Sequence, residues 1–112
     1  MSETSRFWNM SDKRLLDSTT VYVGNISQYC TEDQLYMMFS SVGRVNQVII
    51  GRFKNTGHSA GFGFVIFENH ESCLRACRYF NNCRHIDKRI IVDMDVGYSE
   101  GREIKVVRRK MM

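Results

Sequence analysis

The sequence predicts a single α+β domain, with one four-stranded antiparallel sheet and two helices on one face of that sheet. Three observations lead to this fold class. Four segments are rich in β-branched and aromatic residues, two segments have apolar residues at helical spacing behind capping residues, and the segments follow the order β-α-β-β-α-β. This order is the ferredoxin-like split unit, which leaves the second face of the sheet open.

The four predicted strands are separated by turn-forming or helical segments. A turn with Asn55 and Gly57 joins the second strand to the third. The strands are expected at residues 19–26, 45–53, 60–67 and 86–94.

Each predicted helix begins at a polar capping residue and ends at a residue that tolerates the left-handed conformation. A hydroxyl followed three positions later by Glu or Gln is the capping box of a helix start. Glycine and asparagine are typical helix-ending residues. The residues in these roles are Thr31, Gln34 and Gly43 for the first helix, and Asn69 or His70, Asn81 and Asn82 for the second.

Composition predicts a soluble, intracellular globular domain with an acidic partner. The chain has 112 residues, 43% of them hydrophobic and 25% charged, with a net charge of +4 and a pI near 9.0. Such a mixture excludes wholesale disorder, and no apolar run approaches the length of a membrane helix. We expect an N-terminal arm over residues 1–18, the folded domain over 19–98 and a basic C-terminal extension over 99–112.

The four cysteines are expected to be reduced and to bind no metal. An even number permits two disulfides, but no secretory signal indicates an oxidising compartment. A metal site built from Cys73, Cys77, Cys83 and His85 would have a spacing that matches no familiar zinc pattern. With Cys30 they are therefore interpreted as small core residues. No acid–nucleophile constellation or phosphate-binding glycine loop is present, so we expect neither an enzyme nor a cofactor.

Aromatic residues are predicted on the open face of the sheet. Side chains alternate along a strand, so Phe62 and Phe64 point away from Gly63 and Val65. If the small residues face the helices, both phenylalanines and Tyr22 lie on the open face. The alternative is an inverted assignment in which Phe62 and Phe64 belong to the core.

Two segments resemble the paired signatures of the RNA-recognition motif. Residues 60–67, Ala-Gly-Phe-Gly-Phe-Val-Ile-Phe, match the longer signature except at Ala60, where the pattern has Lys or Arg. Residues 21–26, Val-Tyr-Val-Gly-Asn-Ile, resemble the shorter one. The resemblance implies that RNA bases stack on Tyr22, Phe62 and Phe64.

Two carboxylates, Asp93 and Asp95, end the fourth strand on one face. On a phosphate-binding surface they would repel the ligand. They either solvate the strand end, pair with Arg89 or Arg102, or accept hydrogen bonds from a donor-rich base edge such as that of guanine.

The chain further resembles the small, cap-binding subunit of the nuclear cap-binding complex. The most specific segment is 93–102, Asp-Met-Asp-Val-Gly-Tyr-Ser-Glu-Gly-Arg, and segments 18–25, 31–36 and 61–65 also match. The resemblance implies a nuclear protein, able to shuttle to the cytoplasm, that binds the 7-methylguanosine cap of RNA polymerase II transcripts during mRNA processing, splicing and export. It also implies a heterodimer with a large helical subunit, and no membrane.

In that family the first-strand tyrosine, here Tyr22, stacks on the cationic base. Phe62 and Phe64 form the adjoining floor, Asp93 and Asp95 contact the guanine edge, and Arg102 contacts the cap phosphates. Exposed helix residues are candidate docking positions for the large subunit. These are Tyr36, Met37, Arg78 and Tyr79.

The sequence also departs from the family. Its second sandwich tyrosine has no counterpart before Arg6 and Phe7, where Phe7 or Trp8 is a candidate substitute, and a fourth-strand arginine is replaced by Ile91. A basic segment, 104–112, replaces the family's Gly/Arg-rich tail and is either a phosphate-binding element or a solvated tail. Two alternatives therefore stay open: a general single-stranded RNA binder, and a protein-interaction domain that has lost RNA binding.

Overall fold

The computed structural model describes residues 13–97 and has the predicted fold. A four-stranded antiparallel sheet has the strand order β2-β3-β1-β6, and a separate two-stranded hairpin is formed by β4 and β5. The elements are a 3₁₀ turn (Lys13–Leu16), β1 (Thr20–Gly24), α1 (Glu32–Phe39), β2 (Val45–Arg52), β3 (Ser59–Phe67), α2 (His70–Phe80), β4 (Arg84–His85), β5 (Lys88–Arg89) and β6 (Ile91–Asp95).

The hydrophobic core lies between the two helices and one face of the sheet. Alternate residues of β1, β3 and β6 point into it, as the period of a half-buried strand requires. The core includes Val21, Val23, Val65, Phe67, Val92 and Met94 from these strands and Leu35, Phe39, Cys73 and Ala76 from the helices. No helix in the described part of the chain is long and apolar enough to cross a membrane.

The predicted helix starts are confirmed. The Thr31 hydroxyl accepts a hydrogen bond from the Gln34 amide (3.2 Å), and the Thr31 amide donates to Gln34 Oε1 (2.9 Å). Asn69 Oδ1 accepts from the Ser72 amide (3.0 Å) at the start of α2. These bonds satisfy amide groups that have no partner inside the helix. Asn82 has the expected left-handed backbone, with φ of 72°.

The expected role of Gly43 is wrong. Helix α1 already ends at Phe39, with Ser40 as a right-handed C-cap, and Gly43 does not have a positive φ. A Cβ at Gly43 would instead lie 1.9 Å from Ser72 Oγ in α2. The glycine is therefore needed because the loop after α1 packs directly against the second helix.

The predicted fourth strand, 86–94, is divided in two. Residues 84–89 form the β4–β5 hairpin, and only Ile91–Asp95 joins the sheet. The division occurs because Ile90 pairs with the loop after α2: its amide donates to the Cys83 carbonyl (2.9 Å), and its carbonyl accepts from the Asn82 amide (2.8 Å).

All four cysteines are free thiols, and Cys30 and Cys73 are buried. Burial raises the pKa of Cys30 to about 11 and those of Cys73 and Cys77 to about 12, with the charge of Asp93 adding to the effect on Cys77. No group of three His, Cys, Asp or Glu side chains within residues 13–97 is arranged to hold a metal ion.

The end of the predicted arm packs against the domain. Leu15 is part of the core, and the Ser18 hydroxyl bonds to the carbonyls of Thr20 (3.3 Å) and Asp95. His70 Nδ1 lies 2.7 Å from the Ser18 carbonyl oxygen. Residues 13–18 are therefore tied to both β6 and the start of α2.

Candidate nucleic-acid interface

The strand register places the predicted aromatic residues on the face of the sheet opposite the helices. Tyr22 pairs with Phe64 of β3 on one side and with Asp93 of β6 on the other. Their neighbours Val21 and Val65 face the core. The alternative assignment, in which Phe62 and Phe64 point into the helix-packed core, is therefore wrong.

The three rings form one contiguous cluster. The Tyr22 and Phe62 rings are nearly parallel, with an interplanar angle of 19° and centroids 6.2 Å apart. Phe64 meets Tyr22 and Phe62 edge-on, at centroid distances of 6.1 and 5.9 Å. Phe64 is only 2% exposed, while Tyr22 and Phe62 are partly exposed. The two nearly parallel rings suit planar bases.

Gly24 provides the space in which the Tyr22 ring lies. A Cβ at Gly24 would be 2.8 Å from Tyr22 Cε2 and 3.0 Å from its hydroxyl oxygen. The ring therefore extends along β1 over the backbone of Gly24, whose cross-strand neighbours are Phe62 and Ile91. This role of Gly24 was not predicted from the sequence, although a glycine two residues after an open-face aromatic residue is the signal for it.

Asp93 and Asp95 lie on the same face as the rings. Asp93 is directly opposite Tyr22 and is 7% exposed, while Asp95 is fully buried opposite Thr20. Asp93 Oδ1 accepts from the Met94 amide and Asp95 Oδ2 from the Gly97 amide, both at 3.0 Å. A buried carboxylate requires such donors because its desolvation is costly. These bonds hold the Asp93 carboxyl group beside Tyr22 and the Asp95 carboxyl group two residues further along β6.

Arg89, one of the two predicted ion-pair partners of Asp93 and Asp95, makes a different contact within residues 13–97. The Arg89 guanidinium donates to the Asn82 carbonyl (3.0 Å) and forms no ion pair within residues 13–97. Arg102, the predicted phosphate contact, lies outside the described residues, as do Arg6, Phe7, Trp8 and the basic segment 104–112. Ile91 is 49% exposed at the β6 edge of the face.

The candidate docking residues are exposed on the helices, away from the aromatic face. Tyr36, Met37 and Tyr79 are 49%, 73% and 61% exposed. The Arg78 guanidinium carbon lies 6.0 Å from the centroid of the Tyr79 ring. The helix side thus presents large apolar groups at the predicted positions.

The sequence of this chain is similar to one known protein family and to curated proteins that share one name. The family model described as "RNA recognition motif" matches residues 21–92. The chain is 39% identical over 93 residues to Nuclear cap-binding protein subunit 2 of Eremothecium gossypii, covering 81% of this chain and 42% of that protein. It is 40% identical over 92 residues to the protein of that name in Homo sapiens, covering 82% and 59%. The chain therefore spans about half the length of these curated relatives.

A solved structure with the same fold contains RNA. The Sxl-lethal protein/RNA complex matches with a TM-score of 0.67 and 31% sequence identity, over 70% of this chain and 47% of that one. The similarity thus extends from the strand order to the sequence of the folded region.

Proposed function

Since the chain belongs to the RNA recognition motif family, we propose that the open face of its sheet binds the 7-methylguanosine cap of RNA polymerase II transcripts. The proposal assigns the binding to Tyr22, Phe62, Phe64, Asp93 and Asp95, with Arg102 at the cap phosphates. The name shared by the curated relatives, Nuclear cap-binding protein subunit 2, supports it.

The observation that carries the proposal is the position of Asp93 directly beside Tyr22. A surface that only follows an RNA backbone gains nothing from carboxylates, which repel phosphates. A carboxylate is an acceptor-only group, and the guanine edge offers a ring N–H and an amino group as donors. A planar ring next to fixed acceptors therefore suits a base that is both stacked and donor-rich.

Methylation of the base strengthens both interactions. The ring nitrogen becomes cationic, so a stacked tyrosine gains cation–π attraction of about 0.5–2 kcal/mol. Hydrogen bonds from a cationic base to a carboxylate are also stronger than those from a neutral base. Selection for the methylated form thus follows from the types of residue on this face.

The proposal includes a partner and a cellular role. The chain acts as the small subunit of a nuclear cap-binding complex in mRNA processing, splicing and export, and it docks a large helical subunit through its helix side. The exposed Tyr36, Met37 and Tyr79 support this assignment because large exposed apolar groups are typical of interaction surfaces. The isolated chain is expected to bind cap more weakly than the heterodimer.

The test is a titration of three oligonucleotides that differ only at the 5′ end: methylated cap, unmethylated cap and no cap. Wild type, Tyr22→Ala and Asp95→Asn are compared in the presence of the partner, with Tyr29→Ala as an exposed-tyrosine control outside the ring cluster. Tyr22→Ala is expected to cost about 2–4 kcal/mol for the methylated cap, as the sum of the stacking and cation–π contributions. Asp95→Asn should lower the preference for the methylated over the unmethylated cap.

Equal weakening of all three oligonucleotides in both variants would overturn the cap proposal and leave general single-stranded RNA binding. The phosphate role of Arg102 has its own test. Arg102→Ala should reduce the dependence of affinity on salt by about one phosphate contact, and an unchanged slope would remove Arg102 from the site.

A further inference from the structure

A cavity at one end of the sheet is not used by the cap site. It has a volume of about 360 Å³ and lies between three loops: the β1–α1 loop, the β2–β3 turn and the β4–β5 hairpin. Its lining includes Gln28, Phe53, Ala60, Gly61, Asp87 and Lys88. This volume is within the range of sites that hold small molecules or single nucleotides.

The cavity is adjacent to the aromatic cluster. Ala60 precedes Phe62 by two residues in β3, a distance of about 6.6 Å along a strand. Gly24 and Ile91 pair at the level of Phe62, so this is also the end of the sheet at which β1 finishes and β6 begins. A chain of nucleotides that leaves the Phe62 ring in this direction reaches the cavity within one nucleotide.

The walls of the cavity are fixed by hydrogen bonds. The Ile26 amide donates to the Gly61 carbonyl (2.9 Å), and Asn25 Nδ2 donates to the Arg89 carbonyl (2.8 Å), which ties the hairpin to the end of β1. Gly61 has a φ of +85°, a conformation that favours glycine, so another residue would strain the backbone of this wall. The Phe53 amide donates to the His58 carbonyl (3.0 Å), which closes the β2–β3 turn.

The side chains that line the cavity have the chemistry of a nucleotide site. Phe53 is 37% exposed and offers a ring for stacking. Lys88 is exposed and forms no ion pair within residues 13–97, so its ammonium group can meet a phosphate. The Asp87 carboxylate accepts hydrogen bonds only, and the Gln28 amide both donates and accepts. Asp87 therefore favours a base with an amino group over uracil.

Lys88 also bears on residue 60, where this chain departs from the family signature. The longer signature of the family begins with Lys or Arg, and this chain has Ala60 there. Ala60 and Lys88 line the same cavity from different strands. We infer that this cavity binds the RNA nucleotide next to the base on Phe62, with Phe53 stacking on its base and Lys88 replacing the phosphate contact missing at residue 60.

This inference rests on the proposed function only in that the sheet binds RNA, and its test separates the two. The complex is titrated with a cap mononucleotide and with capped and uncapped tetranucleotides. In wild type, extension from mononucleotide to tetranucleotide is expected to raise the affinity. Phe53→Leu and Lys88→Gln should each lower the tetranucleotide affinity on the order of tenfold and leave the mononucleotide affinity unchanged. Phe53→Tyr should keep the gain, and Tyr36→Ala serves as the control on the helix side.

A second measurement maps the contact directly. A photoreactive 6-thioguanosine, which keeps the amino group of guanine, is placed at each position of the tetranucleotide in turn, and cross-linked peptides are identified by mass spectrometry. One position should cross-link to the peptides containing Phe53 or Lys88. The inference is overturned if no position does so, or if both variants weaken mononucleotide and tetranucleotide equally. It is also overturned if they impair only partner binding, which would make the cavity a protein contact. If wild type does not distinguish capped from uncapped tetranucleotides but still binds a tetranucleotide more tightly than a mononucleotide, only the proposed function is refuted.

Discussion

Replacing Gly24 with alanine should impair ligand binding while leaving the fold intact. The new Cβ would lie 2.8 Å from Tyr22 Cε2, 3.0 Å from its hydroxyl oxygen and 3.2 Å from Cζ. Carbon atoms make favourable contacts at about 3.5–4.0 Å, so the ring must move by roughly 1 Å. The ring is the far end of a side chain with two rotatable bonds, and it therefore moves more easily than the strand.

The expected magnitudes differ for stability and for binding. The alanine reduces the conformational freedom of the unfolded chain, which offsets part of the clash, so the free energy of unfolding should change by less than about 1 kcal/mol. A Tyr22 ring displaced by about 1 Å loses its near-parallel alignment with Phe62, and binding should lose much of one base stack, about 1–3 kcal/mol. Each 1.4 kcal/mol corresponds to a tenfold weaker affinity.

Gly63→Ala is the matched control because its Cβ would lie 2.4 Å from the backbone oxygen of Ile49. That clash separates β2 from β3, so this variant should lose stability. Thermal unfolding by circular dichroism and fluorescence titration with a capped oligonucleotide are measured on both. If Gly24→Ala binds like wild type, the position of the Tyr22 ring over Gly24 is not the binding position. If it unfolds as readily as Gly63→Ala, the strand rather than the ring absorbs the clash.

Three further predictions concern stability and reactivity. Gly43→Ala should lower the unfolding free energy by about 1–3 kcal/mol in denaturant titrations, because its Cβ overlaps Ser72 Oγ. An unchanged unfolding midpoint would show that the loop after α1 moves aside without loss of stability. Ile86 has a φ of +63° in the β4–β5 turn, so Ile86→Gly should raise the unfolding free energy by about 1 kcal/mol through relief of backbone strain, measured in the same way. A lower unfolding free energy would show that contacts of the Ile86 side chain outweigh this strain. Burial raises the pKa of Cys73 and Cys77 to about 12 from the ordinary 9.0, so these two thiols should alkylate slowly at pH 8 in the folded chain, as followed residue by residue by mass spectrometry. Stability should fall between pH 9 and 12 because the unfolded state ionises first. Rapid alkylation of Cys73 or Cys77 in the folded chain would contradict their burial.

The amino-acid sequence by itself determined the fold class and which strand residues share a face of the sheet. Local patterns carry this information: the Thr31–Gln34 capping box is a signature of a helix start, and strand alternation separates Tyr22 from Val21 and Val23. The same alternation placed Asp93 and Asp95 on one face. These predictions depend on neighbours within a few residues, so no tertiary contact was needed to make them.

Only the tertiary structure decided which residues share a contact across the chain. It placed Asp93 directly opposite Tyr22, buried Phe64 next to the partly exposed rings of the cluster, and brought Lys88 into the cavity lined by Ala60. It also gave Gly43 its actual role, because the helix residue that Gly43 approaches is 29 positions away in the sequence. Such distances depend on how the strands and helices pack, and a local pattern contains no information about packing partners that are remote along the chain.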